Sequence, residues 1–460
     1  MRHRFFSLLL AVLMGIFLAG CSAEEPVEEP ETTETVYETE PPQPTAAEQI
    51  LTILRDSESP LPQTEAFLTW CAELTGFEVF YPAMLQALED GYSDSDWFTV
   101  TGRTVKVLSD LYFGNETVDI RNNEAGGVVS LLFAGDINLG DGWYNMNYLE
   151  GCHRDLLQVF DPAILQLLQD ADLTMLNNEF CYSRRGYAAL RKTLTYRADP
   201  DNVSILQELG IDIVSLANNH VYDYMRNAFL DTLDTLENAE IAAIGAGKDI
   251  DSAAQPYYCI INGVKLAFVS ACEVPVAKKA DTDVPGVFYV GEDAERLRQT
   301  IEEASVQSDY VIVYLHWGME EDALPDDDQT TLAHLCVDAG ASLVVGSHPR
   351  FFQSIEYYND TPVVYSLGNF WYSNNLSKCL LLRVSIDARG IGLQLNPCRQ
   401  RNAVVTLVNG QEDGYLYLQQ IVKNSDGIYI AGDGTVSRTI PAPSDEAVVS
   451  ESHNSESKDQ

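Results

Sequence analysis

The hydrophobic positions divide this 460-residue chain into parts with different periodicities. Between residues 46 and 120, apolar side chains recur at helical spacing, as in Phe67, Cys71 and Leu74. This spacing predicts a small all-helical domain. From residue 127 onward, short apolar runs typical of buried strands alternate with amphipathic segments. That alternation predicts an α/β domain over residues 127–440.

Several elements of the α/β domain can be placed from the pattern. Buried strands are predicted at residues 128–134, 213–216, 265–270, 310–315 and 342–345. Amphipathic segments at 156–168 and 329–339 predict helices between strands. Beyond Asn369, antiparallel strands are predicted at 380–386, 403–408 and 415–421. The polar stretch at 441–460 predicts a disordered tail.

The first 20 residues have the layout of a signal peptide. Residues 1–4 are basic, an almost unbroken apolar run continues to Leu18, and the small residues Ala19 and Gly20 precede Cys21. The run is shorter than the ~20 residues that span a bilayer, so we expect cleavage rather than a membrane helix. The ending resembles a bacterial lipobox, which implies that a lipid on Cys21 anchors the protein to the extracytoplasmic face of the cell membrane.

Charge is distributed unevenly along the chain. Residues 21–45 are rich in Glu, Thr and Pro, which predicts a disordered linker extended by repulsion between its charges. The whole chain has 28 Lys and Arg against 69 Asp and Glu, a net charge of −41. This excess argues against a nucleic-acid partner. Its simplest consequence is solubility.

Of the nine cysteines, only Cys21, the predicted lipidation site, indicates a functional role. None of the eight that follow Cys21 forms a Cys-x-x-Cys pair, which excludes zinc-finger and thioredoxin-type sites. Cys259, Cys272, Cys336 and Cys379 lie inside apolar runs and are predicted to be buried thiols. The spacing predicts no disulfide pairing.

Polar clusters follow successive predicted strands. The metal-ligating residue types among them are Asp136, Glu179, Asn219, His316 and His348. Each alone has a plain structural explanation, such as a helix cap or a turn, but their recurrence at strand ends favours a site. A mixed set of carboxylate, amide and imidazole ligands suits Mn, Fe or Zn more than Ca. The pattern therefore predicts a divalent metal site of one or two ions.

These clusters resemble the motifs of the poly-gamma-glutamate capsule synthesis protein (CapA) family over residues 130–371. The matching motifs are Gly135-Asp136, Asn178-Glu179, Asn218-Asn219-His220 with Asp223, His316-Trp317-Gly318, Gly346-Ser347-His348-Pro349 and Leu367-Gly368-Asn369-Phe370. The family is similar to the calcineurin-like metallophosphoesterases. That similarity implies a β-sandwich flanked by helices, in four layers ordered α-β-β-α.

The resemblance also implies roles for individual residues. The five candidate ligands would bind metal, with Glu179 bridging two ions and a coordinated water as the nucleophile. His220 would protonate a leaving group or stabilise a transition-state oxyanion. Arg197 would hold an anionic group of the substrate, or form a surface salt bridge.

The sequence departs from the family pattern at three positions. Arg350 stands where the family usually has the last histidine of His-Pro-His, and Asn138 stands where the wider phosphoesterase group has a ligating histidine. Met225 replaces a glycine. Arginine cannot ligate a metal and is permanently charged. Arg350 would therefore repel a cation, or take the place of its charge in binding a carboxylate or phosphate of the substrate.

Two functions remain open from the sequence. The first is a metal-dependent hydrolase, or a component with that fold, that serves the synthesis or export of an extracellular anionic polymer of the poly-gamma-glutamate type. The second is a non-catalytic lipoprotein whose cleft binds an anionic polymer or a partner protein.

Overall fold

The computed structural model describes residues 119–121, 127–190, 192–372, 376–408 and 412–438. The predicted signal peptide, acidic linker and terminal tail lie outside these residues, and so does the predicted helical domain up to residue 118. Residues 119 and 120, at the predicted end of that domain, belong to a strand. Within the described part of the chain, no helix is both long enough and apolar enough to cross a membrane.

The first of two large sheets contains the strand that carries Asp136. In spatial order its strands are β19 (Val404–Leu407), β18 (Gly390–Arg401), β17 (Leu376–Asp387), β2 (Val129–Ile137), β3 (Leu173–Asn178), β6 (Ile213–Ser215) and β7 (Ala242–Ile244), and β16 (Asn369–Trp371) pairs with the end of β2. Strands β2, β3, β6 and β7 are parallel to one another. Their carboxyl ends therefore lie along one edge of the sheet.

The second sheet is also mainly parallel at its centre. In spatial order its strands are β1 (Asp119–Arg121), β9 (Tyr257–Ile261), β10 (Val264–Cys272), β12 (Tyr310–His316), β13 (Leu343–Ser347), β15 (Thr361–Val364) and β14 (Ile355–Tyr358). The remaining strands of the described residues form three two-stranded sheets. These pair β4 (Cys181–Tyr182) with β5 (Arg197–Ala198), β8 (Ala246–Gly247) with β11 (Gly286–Val287), and β20 (Tyr429–Ile430) with β21 (Val436–Ser437).

Helices connect many of the parallel strands. They are α1 (Tyr144–Gly151), α2 (Pro162–Asp170), α3 (Val203–Leu209), α4 (Met225–Asn238), α5 (Ile250–Ala254), α6 (Glu295–Gln307), α7 (Asp327–Asp338) and α8 (Glu412–Lys423). Short 3₁₀ helices form at Leu156–Gln158 and Pro200–Asn202.

Successive side chains along a strand point to opposite faces of the sheet, so each sheet contributes side chains to two cores. Leu131 and Phe133 of β2 point into the core between the two sheets, which also contains Phe268 of β10. Their neighbours Leu132 and Ala134 point into a second core with the helices of the first sheet. A third core lies between the outer face of the second sheet and helices α6 and α7. The four-layer α-β-β-α architecture is thereby confirmed.

The five buried strands predicted from periodicity are all present, with bounds that differ by at most three residues. The predicted helix at 156–168 is instead divided in two, because Asp161 caps a new helix at Ala163 N–H and Pro162 occupies its first turn. The buried thiols Cys259, Cys272, Cys336 and Cys379 are confirmed, each with no exposed surface.

The predicted strand at 415–421 is wrong, because these residues lie inside α8. Tyr417, Leu418 and Ile421 are buried, whereas Tyr415 and Leu416 are more than half exposed. Burial at positions i, i+1 and i+4 is the pattern of a helix that packs on one side. The long strand β18 pairs along its whole length with β17, and it was not predicted.

Candidate functional site

The five predicted ligands all lie where strands of the two sheets end. Asp136 is the penultimate residue of β2, Glu179 follows β3, and Asn219 follows β6 by a short loop. His316 ends β12, and His348 directly follows β13. All five side chains are buried, with at most 8% of their surface exposed.

Close backbone approach fixes the position of Asp136. A Cβ on the preceding Gly135 would lie 1.7 Å from the carbonyl oxygen of Gly368, so only glycine fits there. The Asp136 N–H donates to that same oxygen at 3.2 Å. The segment before β16 is thereby held against the end of β2.

Three of the predicted ligands converge directly. Glu179, His316 and His348 each place one ligand atom within 4.8 Å of those of the other two. Oε1 of Glu179 lies 3.7 Å from Nε2 of His316. Oδ1 of Asn219 lies 3.1 Å from the same nitrogen, so Asn219 joins this group.

Asp136 lies beside the group in a different way. Its closest approach to His316 is 3.8 Å, and it is made to Nδ1 rather than to Nε2. Its Oδ1 accepts a hydrogen bond from Nδ2 of Asn177 at 2.7 Å, and its Oδ2 accepts one from the His348 N–H at 3.2 Å. In this structure Asp136 orients two neighbours of the cluster with both of its oxygens.

Burial sets the protonation of these groups. Desolvation raises the pKa of Asp136 to about 6, and desolvation together with the charge of Asp136 raises the pKa of Glu179 well above its usual range. Desolvation also lowers the pKa of His348 to about 3 and the pKa of His316 well below its usual range. The two imidazoles are therefore neutral, and two carboxylates lie close together with little water to stabilise their charge.

This donor set fits a divalent metal ion. Neutral imidazole and ionised carboxylate are the forms that bind metals, and a cation would offset the cost of two buried negative charges. Nδ1 of His316 lies 3.1 Å from the Ser347 hydroxyl. Anchoring through one ring nitrogen leaves the other to face a metal, which is the usual arrangement of a ligating histidine.

His220 lies at the edge of the cluster in a defined tautomer. Its Nδ1 lies 2.7 Å from Oδ2 of Asp223, and an ionised carboxylate only accepts, so Nδ1 carries the proton. Its Nε2 is 3.9 Å from Oε1 of Glu179. Desolvation lowers the pKa of His220, against the opposing effect of Asp223. The lone pair on Nε2 therefore faces the site.

Lys192 is a site residue that the sequence analysis missed. Its Nζ donates to Oδ1 of Asp223 at 2.5 Å and to the main-chain oxygen of Asn219. Asp223 is only 1% exposed at its side chain, and its Oδ2 also accepts the Tyr196 N–H at 2.8 Å. Lys192 thereby ties the segment before Tyr196 to the loop that carries Asn219 and His220. No recognisable motif surrounds it.

The two predicted anion-binding arginines differ in their contacts. The Arg197 guanidinium lies 4.2 Å above the ring of Tyr224 and donates to the main-chain oxygens of Arg185 and Gly186. These contacts hold the neighbouring loop. Arg350 pairs with Glu320 at 2.7 Å, and its charge acts to lower the pKa values of both Asp136 and Glu179.

The other departures from the family pattern have visible consequences. Oδ1 of Asn138 accepts the Gly140 N–H at 2.8 Å, so this oxygen supports a turn. Met225 has a φ of 70°, a left-handed conformation that glycine adopts at lower cost.

Comparison with known proteins supports the resemblance drawn from the motifs. Residues 130–374, more than half of the chain, match the model of a family described as bacterial capsule synthesis protein PGA_cap. The chain is 31% identical over 258 residues to the PGA biosynthesis protein CapA of Bacillus subtilis, which covers 55% of this chain and 65% of that protein. It is 30% identical over 198 residues to the capsule biosynthesis protein CapA of Bacillus anthracis, which covers 42% of this chain and 48% of that protein.

The chain thus spans about half to two thirds of the length of these curated relatives. Among solved structures, it is similar to a 5'-nucleotidase from Candida albicans with 11% identity and a TM-score of 0.34. That similarity covers 67% of this chain and 60% of the nucleotidase chain.

Proposed function

The chain belongs to the bacterial capsule synthesis protein (PGA_cap) family, and on that premise we propose that it acts in the synthesis or export of an extracellular anionic polymer of the poly-gamma-glutamate type. The names of the Bacillus subtilis and Bacillus anthracis relatives support this role. The aligned region contains every residue of the candidate site.

We further propose that the site is that of a metal-dependent hydrolase. The observation that carries this proposal is the convergence of Glu179, His316 and His348 at the ends of three different strands. Asn219 supplies a fourth ligand atom beside His316. When bound there, Mn, Fe or Zn would supply Lewis-acid activation of substrate and water.

The protein groups around the ligands have complementary roles. His220 would accept or return a proton at Nε2, while Asp223 holds its Nδ1–H and so fixes both the tautomer and the ring orientation. Tyr196, whose ring centroid is 4.5 Å from that of His220, limits movement of the imidazole. Asp136 would keep Asn177 and the His348 backbone in place.

Positive charge near the ligands favours an anionic substrate. The charges of Lys192 and Arg350 both act on Glu179. Arg350 is about one third exposed at its side chain and can leave its partner Glu320 to pair with a carboxylate or phosphate. A polymer that carries one carboxylate per residue fits this arrangement.

A second candidate function is binding without catalysis. Arg350 favours it, because a permanent positive charge beside Asp136 and Glu179 offsets part of the negative charge that would otherwise recruit metal. In that case the same cleft would bind an anionic polymer or a partner protein.

The proposed location follows from the N-terminal sequence. A lipid on Cys21 would hold the protein at the extracytoplasmic face of the membrane, close to polymer-synthesis proteins. Incorporation of a labelled fatty acid in the native host, with Cys21→Ala as the unlabelled control, tests the anchor directly. Equal labelling of both proteins would refute it.

Metal binding and turnover test the two functions together. Purified protein would be titrated with Mn²⁺ by calorimetry and assayed with bis(p-nitrophenyl) phosphate, beside Glu179→Gln and the surface control Glu302→Gln. The hydrolase proposal expects binding and turnover in the wild type and the control, and loss of both in Glu179→Gln. Binding without turnover, even in Arg350→His, would favour the non-catalytic function. Absence of binding in the wild type would refute the metal site.

A further inference from the structure

Two buried cysteines face each other across the long hairpin of β17 and β18. Cys379 and Cys398 occupy directly opposite positions of this antiparallel pair. Neither has any exposed surface, and both belong to the core between the first sheet and its helices. The two side chains therefore point to the same face of the sheet.

The separation of the two residues suits a disulfide. Residues directly opposite in an antiparallel pair have Cα atoms ~4.5–5.5 Å apart, which lies within the ~4.4–6.8 Å that a disulfide spans. The side chains are also in contact, since burial and a hydrogen bond with the Cys379 thiol raise the pKa of Cys398 well above its usual range. Both are free thiols in this structure.

Other buried cysteines of the two large sheets have different neighbours across the strands. Cys259 lies opposite Leu266. Cys272 lies opposite His316. These two are cysteines used as small buried apolar residues, whereas the pair on β17 and β18 places two sulfur atoms side by side.

The hairpin can align the two cysteines before the rest of the sheet forms. Strand β17 ends at Asp387 and β18 begins at Gly390, so only two residues join them. Within this turn, Oδ1 of Asp387 accepts the Arg389 N–H at 2.7 Å. Pairing continues without a register shift as far as Leu376 opposite Arg401. A hairpin is a local structure that forms fast, at a stage when the thiols are still accessible to an oxidant.

We propose that Cys379 and Cys398 form a disulfide when the chain folds in an oxidising compartment. The oxidant would be another disulfide, carried by a small thiol compound or by an oxidoreductase. One cysteine attacks it as a thiolate, which releases one thiol and forms a mixed disulfide. The second cysteine then attacks the mixed disulfide and releases the second thiol. Two cysteine thiols and one disulfide oxidant thus give one protein disulfide and two thiols.

The bond would brace a strand that holds one side of the candidate site. The Ser377 hydroxyl of β17 donates to the main-chain oxygen of Asn369 at 3.1 Å. The Leu380 N–H donates to that of Leu367 at 2.9 Å. Asn369 in turn pairs with Asp136. A link from β17 to β18 would restrict movement of this segment, whether or not the site is catalytic.

Disulfide mapping in the full-length chain tests the proposal. The chain is synthesised in a cell-free extract buffered with reduced and oxidised glutathione, which makes the test independent of the proposed location in the cell. Free thiols of the soluble protein are blocked with N-ethylmaleimide, and its peptides are analysed by mass spectrometry without reduction. We expect two peptides linked through Cys379 and Cys398. Free thiols at both positions, or links from them to other cysteines, would overturn the proposal.

Urea unfolding measures what the bond contributes. A disulfide that closes a loop of about 20 residues lowers the unfolding equilibrium constant on the order of a hundredfold. The oxidised wild type should therefore unfold at a higher urea concentration than the same protein treated with dithiothreitol. Cys398→Ala should abolish this difference, and the control Cys336→Ala, which removes a buried thiol of α7, should retain it. Equal midpoints in the oxidised and reduced wild type, or a difference that persists in Cys398→Ala, would overturn the proposal.

Discussion

Asp136→Asn should stabilise the metal-free protein at neutral pH, although it removes a residue of the candidate site. Burial raises the pKa of Asp136 from 3.8 to about 6 in the folded state. A carboxyl whose pKa is raised on folding binds its proton more tightly in the native state. Native stability therefore falls as pH rises from 3.8 through 6, where the native carboxyl must ionise without water.

The size of the effect follows from the shift. At 1.36 kcal/mol per unit of pKa, ionised Asp136 costs about 3 kcal/mol at pH 7 and about 1–2 kcal/mol at pH 5. Asparagine removes this cost. It can accept only one of the two hydrogen bonds from Asn177 and His348, which costs about 1–1.5 kcal/mol. The expected net gain is about 2 kcal/mol at pH 7 and less than about 1 kcal/mol at pH 5.

Urea unfolding of chelator-treated wild type and Asp136→Asn, at pH 7 and at pH 5, measures the difference. At pH 5 the gain in stability should fall to less than half of its size at pH 7. A gain of the same size at both values would show that the effect does not come from ionisation. A loss at pH 7 larger than that at pH 5 would show that the ionised carboxylate is stabilised in the native state.

Two further substitutions test how the site is built. Lys192→Met should destabilise the protein by about 2 kcal/mol, because it leaves the buried Asp223 without its ammonium partner, and Lys192→Arg should recover part of this loss in the same urea assay. Unchanged stability in Lys192→Met would show that the ion pair is not needed. Gly135→Ala places a methyl group 1.7 Å from the Gly368 oxygen and should cost about 3 kcal/mol. Gly151→Ala, with no atom within 4 Å of its Cβ, should change stability by less than about 0.5 kcal/mol, and equal losses in the two alanine variants would contradict this account of Gly135.

Much of the fold was accessible from the sequence because its central strands are buried on both faces. Runs such as those of β2, β12 and β13 contain almost no polar residue until they reach the site. The polar residue that ends each run is therefore visible as a break in the pattern. Strand order is a different matter, since it depends on contacts between segments that are distant in sequence.

The error at α8 has a local cause. The residues from Tyr415 to Leu418 form a short apolar and aromatic run, which two glutamines separate from Ile421, and a pattern this short suits a strand and a one-sided helix equally well. Packing decided between them, with Tyr417, Leu418 and Ile421 covering one end of the core between the sheets. Strand β18 was missed because its glycines and polar residues weaken the alternation.

The candidate site, like the fold, could be predicted from the sequence only in part. Residue types that are rare and metal-binding, such as His316 and His348, could be identified from their positions at strand ends. The contribution of Lys192 could not, because it depends on a side chain reaching Asp223 across 31 positions of sequence. Likewise, sequence position could not show that Asp136 approaches His316 at Nδ1 rather than at Nε2.

The central claim is that Glu179, His316 and His348 hold a divalent ion, and anomalous diffraction tests it most directly. Crystals grown with Mn²⁺ would be measured above and below the manganese edge. The account predicts an anomalous peak in contact with Oε1 of Glu179 and Nε2 of His316, and its absence in crystals of Glu179→Gln. Fully ordered side chains with no peak between them, at Mn²⁺ concentrations that saturate other sites, would contradict it.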